Sequence, residues 1–352
     1  MKGLVFFTDF HAHLWSEFAN PVPDPKLVND RFSQQVKTLH DIFDFAAKND
    51  YGVIHGGDLF HARSSVDTRV INAVFSTIAS YSKVPTILLR GNHDSVSNQM
   101  DSPASIDIFS QLPNVTVVDT PTYKDLVIDG KKVHIEFMPY GEDVLKMKES
   151  LNSQSERTKQ GNADINLEVA HLGVDGAKQG LSTHRLAFAF SVADLHPDSY
   201  DAVYIGHIHL RQKLAENMWY GGSTMQLTFN DQGQEKGYDV LTINNGKPSW
   251  KFFKANYTPF ITLDSWSKED EQKFKNYYVR LQLPEDKAKQ LAPESNIRLE
   301  AKVKVDNKVR MDIDSNTSPV KVTESYMGKY YPSLSKVAES VIMSALGGDT
   351  ND

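Results

Sequence analysis

Strand-like apolar runs in the first 210 residues end, one after another, in short loops that carry side chains able to bind a metal ion. Four of these loops contain Asp9-x-His11, Gly57-Asp58, Gly91-Asn92-His93-Asp94 and Gly206-His207-x-His209, and His171 ends a fifth run. In open α/β sheets, ligands bind beyond the carboxyl ends of the strands. The pattern therefore predicts an α/β fold with one metal-binding edge.

Helical spacing between the first strands supports this fold class. Apolar residues recur at helical intervals over Asp30–Lys48 and Val66–Tyr81. Asp129-Gly130 and Asn245-Gly246 predict hairpin turns, which favour a mixed sheet over an all-parallel one.

The chain contains no cysteine, so thiolate metal sites and disulfides are excluded. Two divalent ions held ~3.5–4 Å apart can clamp the attacking and leaving oxygens of a phosphoryl displacement. One carboxylate must then bridge the ions. Neutral imidazoles and an amide oxygen complete each ion without adding negative charge that would repel a phosphodiester.

The first motif alone leaves two families open. With His13 included, Asp9-x-His11-x-His13 resembles the opening of the amidohydrolases, which are (β/α)8 barrels. Without His13, it resembles the calcineurin-like metallophosphoesterases. The five motifs in their order resemble the second family over roughly residues 1–230. The barrel gives no role to the segment 91–94, and it requires eight β/α units.

This resemblance implies an α/β fold, a calcineurin-like metallophosphoesterase β-sandwich flanked by helices. It also implies two metal shells bridged by Asp58. The implied ligands are Asp9, His11, Asp58 and His209 for one ion, and Asp58, Asn92, His171 and His207 for the other. His93 would be a catalytic residue that faces the substrate, with Asp94 orienting its ring.

A finer resemblance concerns the subfamily. The segment Gly57-Asp-Leu-Phe-His61 is similar to a signature of the SbcD-type nucleases, which are subunits of SbcCD and meiotic-recombination DNA repair complexes. Residues 220–229 and Lys236-Gly237 resemble further parts of that family. The resemblance implies a DNA exonuclease or endonuclease with two Mn²⁺ ions, or Mg²⁺ in their place. It makes His61 a second catalytic histidine.

Two features depart from the family pattern. Ala12-His13 stands where the family has an apolar residue and glycine, and we interpret His13 as an exposed loop histidine. The insertion 14–30 is longer than expected, and we expect it to cover the site or to contact DNA.

The composition changes after residue 256, which predicts three domains. These are residues 1–256, a small α+β domain at 257–320 and a C-terminal helical segment at 321–352, and the resemblance implies that they are a nuclease domain, a DNA-binding capping domain and a partner-binding segment. A helix over Ser333–Leu346 carries an apolar stripe and follows an apparent linker, Asp312–Pro319. The resemblance implies that it grips the coiled coil of an SbcC-like ABC-type ATPase; packing on its own domain is the alternative. It also implies a homodimer, with Val66–Tyr81 as a candidate interface.

The whole-chain composition sets limits on location and partners. No stretch approaches the ~20 apolar residues needed to cross a membrane, and the run before Asp9 is too short for a signal peptide. We therefore expect a cytoplasmic protein. The net charge of -7 gives no bulk attraction to nucleic acid. Two rival functions stay open on the same fold: a small-molecule phosphodiesterase or protein phosphatase, and a non-catalytic scaffold like the retromer subunit.

Overall fold

The computed structural model describes residues 1–100, 102–180, 189–289, 296–302 and 317–345. The chain divides into two compact units, Met1–Ala301 and Lys302–Asp352.

Two large sheets form the body of the first unit. Their strands are β1 (Gly3–Phe7), β2 (Tyr51–His55), β3 (Thr86–Leu89), β4 (Val115–Val118), β5 (Thr122–Ile128), β6 (Lys131–Met138), β7 (Ile165–His171), β8 (Ala202–Gly206), β9 (Gln212–Ala215), β10 (Met218–Tyr220), β11 (Gly237–Asn244) and β12 (Lys247–Lys254). The first sheet has the order β12-β11-β1-β2-β3-β4, and the second has the order β5-β6-β7-β8-β10-β9. Strands β1 to β4 are parallel, whereas β11 and β12 pair antiparallel.

Helices cover the outer faces of both sheets. Helices α1 (Asp30–Asn49) and α2 (Thr68–Ser80) pack on the first sheet, and α3 (Val144–Gln160) packs on the second. Short 3-10 helices lie at Asp107–Gln111, Val192–Leu195, Pro197–Ser199, Phe229–Asp231 and Pro332–Leu334. The predicted α/β sandwich flanked by helices is confirmed. Helix α3 was not predicted.

Strand β1 is apolar along its whole length because both of its faces are covered. Leu4 and Phe6 point into the core between the two sheets, whereas Val5 and Phe7 point into the core beneath α1 and α2. A parallel strand buried on both faces reads as a continuous apolar run. This burial fixes the position of the loop that begins at Thr8.

Both predicted hairpin turns are present. Asp129 and Gly130 join β5 to β6, and Asn245 and Gly246 join β11 to β12, with positive φ angles of 49°, 77°, 52° and 75°. Two consecutive residues of positive φ are what a two-residue type I′ turn requires.

A third, small sheet belongs to the first unit. Its strands are β13 (Phe260–Leu263), β14 (Tyr278–Pro284) and β15 (Ile297–Lys302), in that order, with short helices α4 (Lys268–Lys273) and α5 (Glu285–Ala288). Phe274, Val279, Leu281 and Leu283 form its core. We call residues 257–302 the three-stranded module. They lie within the predicted capping domain, part of which falls outside the described residues.

The second unit contains helices α6 (Pro319–Tyr330) and α7 (Ser335–Ala345). Helix α6 was not predicted, and the boundary proposed at residue 320 lies inside its first turn. Leu346 and most of the predicted linker lie outside the described residues. The three-domain division stays a prediction. Of the helices described, none is both long and apolar enough to cross a bilayer.

Candidate metal centre

The seven predicted metal ligands come together at the carboxyl ends of neighbouring strands. They end or follow five strands: β1 (Asp9, His11), β2 (Asp58), β3 (Asn92), β7 (His171) and β8 (His207, His209). Strands β1 to β3 adjoin in one sheet, and β7 adjoins β8 in the other. Two packed sheets therefore bring together side chains that are up to 200 residues apart.

Asp58 lies between two groups of potential ligands. One of its carboxylate oxygens, Oδ2, is 3.6 Å from Nε2 of His11 and 3.3 Å from Nε2 of His171. The carboxylate is buried. This is the position that a bridging carboxylate requires.

On one side of Asp58, the side chains of Asp9, His11 and His209 converge. The Nε2 atoms of His11 and His209 are 2.9 Å apart, and Asp9 Oδ1 is 4.0 Å and 3.9 Å from them. Two imidazole nitrogens and a carboxylate oxygen directed at one point suit a divalent cation.

On the other side, Asn92 joins His171 and His207. The amide oxygen of Asn92 is 3.3 Å from Nε2 of His171 and 3.0 Å from Nδ1 of His207. The predicted ligands of both ions thus adjoin Asp58, and nitrogen and oxygen donors without sulfur fit a hard or borderline divalent metal. Which of these residues coordinate metal stays a prediction.

The loops that carry the ligands have unusual backbone conformations. The φ angles of Asp9, His11, Asp58 and His207 are 50°, 48°, 60° and 98°. Asp and His enter this left-handed region more readily than most residues, and each instance still costs of the order of 1–3 kcal/mol. Four of the ten non-glycine residues with positive φ among the described residues are therefore predicted ligands.

Residues outside the ligand set fix the ligands in place. Thr8 Oγ1 donates a hydrogen bond of 2.8 Å to Asp9, and the carbonyl of Gly56 accepts one of 2.8 Å from Nδ1 of His171. The buried ammonium group of Lys236 donates to the carbonyl of His209 at 2.5 Å. Sequence reasoning gave these three residues no such role, because each contact depends on the packing of two loops.

The structure corrects the role predicted for Asp94. Its carboxylate accepts hydrogen bonds from the backbone N–H groups of Asp58, Phe60 and Gly91, at 2.8, 3.0 and 3.0 Å. The ring of His93 is oriented instead by the carbonyl of His61, which accepts from its Nδ1 at 2.7 Å. Asp94 therefore holds the loop that carries Asp58 and does not orient the ring of His93.

His93 and His61 lie beside the ligand cluster with their rings stacked. The ring centroids are 5.3 Å apart and the planes differ by 15°. The His11 ring lies 4.8 Å from that of His93 and 5.3 Å from that of His61. Nitrogens of His11, His61 and His93 lie within 4.8 Å of one another, so the prediction that the last two do not bind metal stays a prediction.

Further ring contacts extend from His61 to His13 and to the insertion. The Trp15 ring lies 4.6 Å from that of His61, and the His13 ring lies 5.0 Å from His61 and 5.2 Å from Trp15. The interpretation of His13 as an exposed loop histidine is wrong, because its ring is half-buried in these contacts. We call His13, Trp15, His61 and His93 the ring wall.

The sequence profile of the calcineurin-like phosphoesterases matches residues 4–211. The match covers more than half of the 352 residues and contains all seven predicted ligands. The chain belongs to the calcineurin-like phosphoesterase family.

Two curated relatives of the chain are viral proteins. The chain is 29% identical over 196 residues to provisionally named phosphoesterase 078R of Invertebrate iridescent virus 3, over 55% of this chain and 52% of that one. It is 27% identical over 194 residues to provisionally named phosphoesterase 244L of Invertebrate iridescent virus 6, over 54% and 63% of the two chains. The chain thus spans between half and two-thirds of the length of these relatives.

Solved structures resemble the chain more distantly. A dimetal phosphatase from Danio rerio gives a TM-score of 0.42 at 9% identity, over 71% of this chain and 95% of that one. A calcineurin-like phosphoesterase from Bacillus subtilis gives 0.39 at 14% identity, over 72% and 88%. Similarity at this level supports no statement about activity.

Two of the predicted metal ligands, His171 and Asp58, shift the pKa values of each other. Burial disfavours a charged imidazole at His171, but the adjacent Asp58 carboxylate raises the pKa of His171 to about 9. Burial likewise disfavours ionisation of Asp58, yet the charge on His171 lowers its pKa well below the ordinary value. An imidazole binds metal only when neutral, so an ion taking this position would release the proton of His171.

Close packing around the ligands requires glycine at Gly91. A Cβ atom at this residue would lie 2.1 Å from Oδ1 and 2.3 Å from the backbone nitrogen of Asp58. Real Cβ contacts are never this short, so another residue would displace Asp58. Gly91 is therefore as much a condition of the site as the ligand it adjoins.

Proposed function

We propose that this protein is a metal-dependent DNA nuclease, the SbcD-like subunit of a DNA repair and recombination complex. The observation that carries the proposal is the stacked pair of His61 and His93 against the ligand cluster. His61 closes the Gly57–His61 segment that resembles the nuclease signature. Membership of the calcineurin-like phosphoesterases supports phosphoester hydrolysis as the reaction class.

Different side chains of the protein would take different roles in hydrolysis. Asp9, His11, Asp58 and His209 would hold one ion, and Asp58, Asn92, His171 and His207 the other. When bound, such a pair of divalent ions supplies Lewis-acid activation of the phosphodiester and of the attacking water. We propose Mn²⁺ in both positions, with Mg²⁺ as the alternative, because the ligand set mixes carboxylate and amide oxygens with imidazoles.

His93 is suited to act on the leaving group. Its Nδ1 donates to the carbonyl of His61, so Nε2 is the nitrogen that remains for the substrate. A proton or hydrogen bond delivered there stabilises the leaving oxygen. Burial and the neighbouring His93 lower the pKa of His61 to about 4, so His61 acts as a neutral hydrogen-bonding group at neutral pH.

Two features favour a long substrate. The three-stranded module contacts the insertion that carries Trp15, and the ring wall extends from His93 into that insertion. Together they extend the surface beside the ligand cluster. A polynucleotide uses such a surface on both sides of the scissile bond, whereas a small phosphodiester reaches only the ions and His93.

The discriminating experiment is hydrolysis of three substrate classes by the purified protein with Mn²⁺. We expect cleavage of end-labelled duplex DNA and of a nitrophenyl phosphodiester, and no comparable activity on phosphoserine peptides or cyclic nucleotides. Activity confined to small esters or phosphoserine would favour the small-molecule phosphodiesterase or phosphatase. Failure to bind any divalent ion would favour the scaffold.

His61→Ala separates DNA positioning from chemistry. We expect a milder loss on the nitrophenyl ester than on duplex DNA, because only DNA reaches the part of the ring wall beyond His93. An equal loss on both substrates would contradict a positioning role for His61. His196→Ala, at an exposed histidine bonded to Asn152, is the matched control.

We further propose an SbcC-like ABC-type ATPase as partner, bound through the C-terminal helices. Within the second unit, Leu334, Val337 and Val341 expose 51%, 61% and 64% of their surface along one stripe. Such a stripe suits a helix-in-groove contact. Deletion of residues 333–352 removes no predicted ligand. We expect the truncated protein to hydrolyse the nitrophenyl ester but no longer to co-purify with the ATPase.

We also propose a homodimer and a cytoplasmic location. Val70, Val74 and Ile78 of α2 are buried in the protein's own core, so a dimer through α2 would use the opposite face of that helix. Sedimentation of the protein at several concentrations tests for the dimer, and an Asn72→Arg change on the exposed face tests this interface.

A further inference from the structure

We propose that Trp15 is a positioning residue for His61, and that the insertion anchors this contact on the three-stranded module. The proposal rests on the proposed function, because it concerns the placement of a residue that would face DNA. The proposal gives a role to the insertion, which contributes none of the predicted metal ligands.

Ring packing is the main restraint on His61. Its Nδ1 lies 3.4 Å from Nδ1 of His11, a long contact between two ring nitrogens. Its ring lies 5.3 Å from that of His93 and 4.6 Å from that of Trp15, measured between ring centroids. A side chain held by packing loses its preferred rotamer when one of the packing groups is removed.

The Trp15 ring also contacts the side chain of Arg31. The guanidinium carbon of Arg31 lies 5.3 Å from the Trp15 ring, within the range of a cation–π contact. Arg31 is only 6% exposed and donates to the carbonyls of Glu17 and Leu227, at 2.9 Å and 2.8 Å. Its position is therefore fixed independently of Trp15.

The same arginine reaches the three-stranded module. The guanidinium carbon of Arg31 is 5.3 Å from the rings of Phe260 and Tyr278. Phe18 stacks on Tyr278 at 5.5 Å, with an angle of 28°, and Glu17 forms an ion pair with Arg298. The insertion is thus fastened to the module by residues within three positions of Trp15.

These contacts form one continuous series from the module to the ring wall. Tyr278 contacts Phe18 and Arg31, Arg31 contacts Trp15, and Trp15 contacts His61. A change in the position of the three-stranded module would therefore change the position of the His61 ring through the insertion. The predicted metal ligands are held by their own hydrogen bonds and would not move with it.

A double-mutant cycle tests whether Trp15 acts through His61. We expect Trp15→Leu to lower kcat on duplex DNA about tenfold in the otherwise unchanged protein, and less than about twofold when His61→Ala is already present. Manganese binding should be unchanged, and Trp15→Phe should restore most of the activity because it restores a ring. An equal effect in both backgrounds, or weakened manganese binding, would overturn the proposal.

A second measurement does not depend on activity. In the metal-free protein, the imidazole Cε1–H resonance of His61, identified by its loss in His61→Ala, should move in Trp15→Leu as the ring current of Trp15 disappears. Phe18→Leu should move the same resonance by less. An unmoved resonance in Trp15→Leu would refute the contact whether or not the protein cleaves DNA. Absence of hydrolysis with a moved resonance would instead count against the proposed function alone.

Discussion

The candidate metal centre and a cluster beneath α3 both bury carboxylates beside histidines, but they differ in what neutralises the charge. Among the described residues, the ion pairs of Asp9 and Asp58 are with histidines only. Beneath α3, Glu136 accepts two hydrogen bonds of 2.7 Å from Arg157. Glu136 has a permanent cation in the protein, whereas Asp58 depends on histidines that a metal ion can deprotonate.

We call His134, Glu136, Arg157 and Glu168 the α3 cluster. His134 bridges Asp125 and Glu136, at 2.7 Å and 2.9 Å, and these carboxylates raise its pKa. The comparison teaches that a buried carboxylate bonded directly to a guanidinium, as Glu136 is to Arg157, has less need of a metal ion than one paired with histidines only. A fixed guanidinium already satisfies the carboxylate and leaves no reason to bind an ion.

The largest expected effect comes from removing the carboxylate of Asp58 from the candidate metal centre. We expect Asp58→Asn to abolish manganese binding at both positions and to abolish hydrolysis, because Asp58 Oδ2 lies between both ligand groups. Asparagine tolerates the left-handed backbone of this residue, so the fold should persist. Isothermal calorimetry measures the result, with Glu136→Ala as the control that keeps both ions. Two intact manganese sites in Asp58→Asn would contradict the bridging assignment.

The next prediction separates metal binding from chemistry within the same centre. His93→Leu should keep manganese and the fold but lower kcat by a factor of the order of 10² or more, as for the loss of a general acid. The nitrophenyl ester assay with calorimetry measures both properties. Loss of an ion in this variant would instead make His93 a metal ligand. The matched control is His196→Leu, which should change neither.

Removal of the α3 carboxylate should act on stability and not on metal. We expect Glu136→Ala to lower the free energy of unfolding by about 1–3 kcal/mol, because Arg157 and His134 lose their shared acceptor. The half-exposed Arg157 can turn to water, which keeps the loss moderate. Urea denaturation measures it. A stability equal to that of the unchanged protein would show that the cluster contributes nothing.

The smallest expected effect concerns Glu168, which faces Glu136 across β6 and β7. Neither carboxylate oxygen of Glu168 has a hydrogen-bond partner among the described residues. Burial, and then the charge of Glu136, raise its pKa well above the ordinary 4.5. Glu168 therefore adds stability when protonated. That stability is present below pH 4.5 and is lost as the pH rises through the folded-state value.

Glu168→Gln should remove this pH dependence. We expect the stability of the variant relative to the unchanged protein to rise as the pH is raised from 4.5 through the folded-state pKa of Glu168. Denaturation at several pH values measures the difference. A difference that is constant with pH would show that Glu168 does not titrate in this range.

The sequence was informative where structure is local. The pattern of buried strands that end in glycine-containing loops predicted a metal-binding edge of the sheets. All seven predicted ligands lie at this edge in the structure. Helix α3 escaped prediction because its inner face carries Gln154, Ser155 and Thr158 beside only two large apolar residues, so no apolar stripe marks it.

Contacts between distant segments could not be predicted in the same way. Asp94 follows His93 directly, and the family resemblance implied that it orients that ring. The loop instead directs its carboxylate at three backbone N–H groups. Trp15 and Arg31 gave no signal, because their roles depend on the rings of His61, Phe260 and Tyr278, which are 46 to 247 positions away.

Gly91 offers a diagnostic for relatives of this protein. It is not a predicted ligand, yet a Cβ atom at this position would collide with Asp58. A gene copy that mutated only here would keep all seven predicted ligands and still be expected to displace the carboxylate of Asp58. Such a copy would be classed as an enzyme from its predicted ligands, although we expect it to have lost activity. The glycine therefore distinguishes working members of a lineage from decayed ones.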